Sequence, residues 1–151
     1  MHVNATRTTP IGLARYAREF YDAAIIVDDN LGIRKGYEEV PPVPVMYLTG
    51  HSIELILKAF MLFKGESLTN LKNKYGHNLE KAFIKANELG LGKSVQFDTN
   101  EIEVLKILNV LYSTKQLNYF FRGAKEYPTF GIVQTLTEKM LNTIAPMVGF
   151  K

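Results

Sequence analysis

Apolar residues recur along this chain at the three- and four-residue spacing of helix faces. Residues 47–63, YLTGHSIELILKAFMLF, are apolar almost all the way round, which predicts a buried central helix. One polar line crosses it: Tyr47, His51, Glu54 and Lys58, at spacings that put all four on one face. The neighbouring patterns predict helices wrapped around this one. The first starts at Pro10 with Thr9 as N-cap. Its buried stripe is Leu13, Ala17, Phe20 and Ala24, widened by Tyr16, Tyr21 and Ile25, with Arg15, Arg18, Glu19 and Asp22 opposite. It should stop within 28–32, where the chain turns to Asp, Asn and Gly.

The proline-rich connector 32–43 cannot be helical inside and should be extended. Pro44 can open the central helix, and Gly65 closes it after Lys64. Residues 65–76 are polar and read as a loop, with room for one short turn of helix. A third helix starts at His77 or Asn78, with Leu79, Ala82, Phe83, Ala86 and Leu89 on one face, and ends at Gly90 and Gly92. Asp98 and Glu101 have the spacing of a capping box and open a fourth helix, with Ile102, Leu105, Leu108, Leu111 and Tyr112 inward. An aromatic break at 117–131 precedes a fifth, capped by Thr129 and carrying Phe130, Val133, Leu136, Met140, Ile144 and Met147. Only 93–97, KSVQF, resembles a strand, and it has no partner to pair with. The pattern predicts an all-α single domain over 1–151, a bundle of about five helices with its core in 10–147.

The absence of cysteine removes disulfides, thiolate metal sites and a cysteine nucleophile, and it suits a cytoplasmic location. The first ten residues lack the apolar core of a signal peptide. The run Leu55–Phe63 is interrupted by Lys58 and falls short of the roughly 20 residues a membrane span needs, so no membrane partner is expected. A net charge of +3 permits an anionic partner without requiring one. No phosphate loop, dinucleotide fingerprint or nucleophile elbow is present, and no cofactor is implied. His2, His51 and His77 have neither the spacing nor the companions of a metal site.

The polar line admits two readings. His51 acts as acid or base with Glu54 orienting it, or Glu54 and Lys58 form an ordinary exposed pair worth a few tenths of a kcal/mol. The lysines Lys58, Lys64, Lys72, Lys74, Lys81, Lys85 and Lys93 are interleaved with glutamates and read mostly as a solvated mixed-charge face, with nucleic-acid contact as the alternative.

The segments 50–65, GHSIELILKAFMLFKG, and 75–86, YGHNLEKAFIKA, resemble the HEPN family of small helical bundles found in nucleotide-associated and RNA-targeting bacterial systems. The likeness lies in the Glu54-Leu55-x-x-Lys58-Ala59 core and the His77-Asn78-Leu79 helix start. A later aromatic element, Tyr119, Phe120, Phe121 and Arg122, then Tyr127-Pro128, adds to it. RNA-cutting members carry Arg-x(4–6)-His, and here Arg122 is followed five residues later by Tyr127. A tyrosine with a pKa of about 10 is a poor general base at neutral pH. What the resemblance implies is therefore a non-catalytic binding module, homodimeric, with a groove for RNA or nucleotide phosphate. Arg122, His51, Glu54, Lys58, His77 and Tyr127 are its candidate contacts. Arg122 would bind by charge and stacking, or would cap a helix end. The alternatives are a divergent metal-independent ribonuclease or toxin using His51 or His77, and a structural domain that binds an unknown protein.

Overall fold

The computed structural model describes residues 7–119 and 125–151. Arg122, Phe120, Phe121 and His2 lie outside them. The described residues are all-helical: α1 (Pro10–Leu31), α2 (Val43–Phe63), the short α3 (Leu68–Asn70), α4 (Leu79–Glu88), α5 (Thr99–Ser113) and α6 (Phe130–Met147). No strand occurs among them, and the segment expected to be closest to one follows a 3-10 turn, Leu91–Lys93, without pairing.

Helix α2 is the hub, in contact with α1, α4, α5 and α6. Val45, Met46, Ile53, Ile56, Leu57, Ala59, Phe60 and Met61 are fully buried on several sides of it. Burial of each large side chain stabilises by about 1.5–3 kcal/mol, so α2 holds the bundle through all-round apolarity. By length and composition alone it would pass for a membrane span, as the core helix of a bundle can, and most of it is covered by the other helices. Helix α1 lies close against it because Ala14, Ala17 and Ala24 leave no side-chain bulk between the backbones. The Ser52 hydroxyl donates to the Ala17 carbonyl at 2.7 Å across that interface.

The ends of the helices follow local chemistry. Thr9 Oγ1 accepts from the Gly12 amide at 3.1 Å, and Asn78 Oδ1 accepts from the Lys81 amide at 2.9 Å. Asp98 and Glu101 complete the reciprocal capping box. Thr129 occupies the N-cap of α6 but makes no side-chain cap bond, contrary to the expectation. The expected loop at 65–76 is largely helical. α3 runs into a π-helical turn, Leu71–Tyr75, anchored by buried Leu71 and Tyr75. Gly76 leaves that turn at φ 51°, ψ −123°, a region open to glycine and strained for any residue with a Cβ. This turn delivers the chain into His77.

Candidate functional site

Helices α2 and α5 and the corner before α4 bring their polar groups to one point. The Glu54 carboxylate, on α2, is 2% exposed and takes part in three hydrogen bonds. Lys58 Nζ donates to Oε2 at 3.0 Å. His77 Nδ1 and the Tyr112 hydroxyl lie 2.7 Å and 2.8 Å from Oε1. His51 Nδ1 sits 3.1 Å from the same Tyr112 oxygen. Burial alone would raise the Glu54 pKa, but Lys58 and then His77 hold it below the ordinary carboxylate value, so it is ionised. Burial and the Glu54 charge both push the Tyr112 phenol up, so it keeps its proton. Burial lowers the His51 pKa, with Glu54 opposing.

Each side chain is held by its surroundings. His77 immediately precedes the N-cap of α4, and that corner is tied to α5. Asn109 Oδ1 accepts from the Leu79 amide at 2.7 Å, and Asn109 Nδ2 donates to Asn78 at 3.1 Å. Tyr112 reaches Glu54 because Gly50 leaves α2 bare beneath its ring; a Cβ there would stand 2.6 Å from Tyr112 Cδ1. His51 is flanked by Phe20, edge-on at 4.5 Å between centroids, and by Tyr47, parallel at 6.4 Å.

His51, His77, Tyr112 and Tyr47 all line one cleft of about 810 Å³. Arg7, Arg15 and Lys115 line it too, with Tyr16 and Phe20, and the described lining residues include no carboxylate. Arg15 lies 3.5 Å from Glu19 at the surface and sits over the Tyr16 ring. Arg7 and Lys115 have no ion-pair partner among the described residues. Lys115 is the one described non-glycine residue in the left-handed region, at φ 60°. It is the C′ residue of α5, where its amide bonds the Tyr112 carbonyl and the Gln116 amide bonds the Leu111 carbonyl. Glycine is the usual residue there, so a lysine is held in that conformation beside the cleft at some cost.

Of the residues singled out in the sequence, Tyr47, His51, Glu54, Lys58 and His77 do come together. Lys58 is 2% exposed and committed to Glu54, so neither the solvated face nor the direct ligand contact expected of it fits. Glu54 also lies behind the cleft wall. Tyr127 packs half-buried against the core and does not line the cleft. Arg122 is outside the described residues. The sequence pattern places Tyr112 only in a core stripe, Arg15 on an outward face and Tyr16 in the core, and it does not single out Arg7, Lys115 or the Gly50 gap. Compared with family models, curated proteins and solved structures, the chain matches none.

Proposed function

We propose that this chain is a non-catalytic, HEPN-like binding module whose cleft takes the phosphate of a nucleotide or of RNA. The observation that carries the reading is the lining: three cations, two imidazoles and several aromatic rings around one concavity, with no carboxylate among the described lining residues. The volume is that of a small-molecule site. Cations beside exposed rings suit a phosphate attached to a base that can stack. Tyr16, half-exposed with Arg15 over its face, is the natural platform.

The test is fluorescence anisotropy with a labelled RNA oligonucleotide and a labelled adenine nucleotide at two salt concentrations. Wild type should bind in a salt-sensitive way. Arg7→Ala and Lys115→Ala should each weaken binding and, for RNA, flatten the salt slope by about 0.7 for each phosphate no longer neutralised. Absence of binding at low salt overturns the reading. Pairing of two chains, which the resemblance implies, is measured by sedimentation of the same samples.

A second reading, a divergent metal-independent ribonuclease, is favoured by one observation. Two histidines with ordered rings share the cleft, and one is oriented by a buried carboxylate. It requires RNA cleavage in the presence of chelator, abolished in His77→Ala and His51→Ala. RNA left intact after long incubation removes it.

A further inference from the structure

The hydrogen-bond network fixes which nitrogen of each cleft-lining histidine the protein engages and which it leaves open to a ligand. Glu54 is ionised and accepts only. The single Tyr112 proton therefore points to Glu54, 2.8 Å away. The Tyr112 oxygen can then only accept from His51, so His51 carries its proton on Nδ1. His77 Nδ1, 2.7 Å from the same carboxylate oxygen, must also donate. In its neutral form each ring therefore keeps its lone pair on Nε2, for which no partner exists among the described residues.

A lone pair repels a phosphate oxygen, and a protonated Nε2 donates to it. Phosphate and proton must then enter together. Charged and titratable groups face the His51 side of the cleft from several elements. Glu54 and Lys58 lie on its own helix, Arg7 and Arg15 come from the start of α1 and the segment before it, and His77, Tyr112 and Lys115 from the α4 and α5 ends. Burial opposes the imidazolium most, Glu54 favours it, and the Lys58 charge opposes it further. An incoming dianion cancels that opposition. A terminal phosphate offers three non-bridging oxygens and a charge of about −1.5 to −2, against two oxygens and a single charge for an internal diester. It matches a lining of three cations and an imidazole, that of His51, able to become a donor.

We propose that the cleft selects a terminal phosphate, as a monoester or the end of a polyphosphate chain, and that its binding is coupled to protonation of His51. This rests on the reading of the cleft as an anion site.

Titration calorimetry of the full chain tests it, with adenosine diphosphate and with a dinucleoside monophosphate whose one phosphate is an internal diester. Runs at pH 8 in buffers of different ionisation enthalpy count protons, and a pH series follows affinity. Adenosine diphosphate should bind at least about tenfold more tightly than the diester. It should take up as much as one proton, and its affinity should fall by as much as about tenfold per pH unit on the alkaline side. In His51→Gln, which stays neutral, binding should persist without that uptake and with a flatter pH profile. His51→Asn serves if the glutamine variant folds poorly. Equal affinity for the two ligands overturns the selectivity. Binding without proton uptake, or uptake unchanged in the His51 variants, overturns the coupling while leaving an anion site in place. Failure of both ligands to bind overturns the anion-site reading itself.

Discussion

Replacing Glu54 by leucine tests whether the polar line of α2 is a buried charge network or an exposed pair. An exposed i,i+4 pair contributes about 0.3–0.5 kcal/mol. Here the Lys58 and Glu54 side chains are 3% and 2% exposed. Glu54→Leu leaves the Lys58 ammonium buried without its carboxylate, which costs about 3–5 kcal/mol. Lys58→Met leaves a buried carboxylate supported only by Tyr112 and His77, and should cost about 3 kcal/mol. The double variant removes both charges together. Its main cost is the missing acceptor for the Tyr112 hydroxyl, about 1–3 kcal/mol. The two single effects together therefore exceed the double effect, with a coupling of about 3–7 kcal/mol. Urea unfolding followed by helical circular dichroism measures all four proteins, with constant m-values as the check on two-state behaviour. Single variants that are each destabilised by under about 1 kcal/mol, or effects that add to within about 0.5 kcal/mol, would refute the buried network.

Three further outcomes follow from the same geometry. Lys115→Gly should relieve the left-handed backbone and stabilise the fold by up to about 1 kcal/mol in thermal unfolding. The same variant should bind adenosine diphosphate more weakly; a variant both more stable and equally tight would show that Lys115 does not serve the cleft. Gly50→Ala should destabilise by about 1–3 kcal/mol, since its Cβ would stand 2.6 Å from the Tyr112 ring, and altered Tyr112 absorbance in the folded variant checks the displacement. Acid should weaken the fold in two stages. The folded His51 pKa is lowered, so the unfolded chain binds more protons and stability declines as pH falls through about 6.5. The folded Glu54 pKa is lowered too, so its contribution, complete above about pH 4.3, disappears as pH falls through the folded value. A pH series of urea midpoints shows both stages, and His51→Gln should lack the first.

The architecture is legible in the sequence because each long helix carries its own signals. Pro10 after Thr9, Asn78 before Leu79 and the Asp98–Glu101 box each act within one turn, so they mark helix starts without tertiary information. The helical form of 68–75 is not legible, because its polar residues are turn-like locally and only tertiary burial of Leu71 and Tyr75 selects it. The same distinction divides the site. The spacing of Tyr47, His51, Glu54 and Lys58 is a property of one helix and can be read directly. That this line faces inward depends on α4 and α5 covering it. Tyr112 lies 58 residues from Glu54, and no periodicity distinguishes a tyrosine that closes a network from one that only fills a core. Gly50 carries a signal: a glycine within an otherwise apolar helix indicates a close approach, here that of Tyr112. Lys115 has no comparable sequence signal, because its left-handed backbone emerges only once the end of α5 is placed.

A buried ion pair adds little to stability relative to a well-packed apolar one, so the position of this pair bears on its use. Leucine and methionine could fill the same space, yet the pair sits directly behind the cleft wall. From there, Glu54 can orient two imidazoles through one oxygen, one of them directly and the other through Tyr112. Lys58 keeps that carboxylate ionised and binds its other oxygen, which prevents the network from reversing its donors and acceptors. An apolar replacement would preserve the fold and leave both rings free to turn. The double variant Glu54→Leu/Lys58→Met separates these roles. It should fold with most of its stability, yet bind adenosine diphosphate with a changed pH profile and weaker affinity. If it binds as wild type does at every pH, the network does not orient the histidines, and its place behind the cleft is incidental to binding.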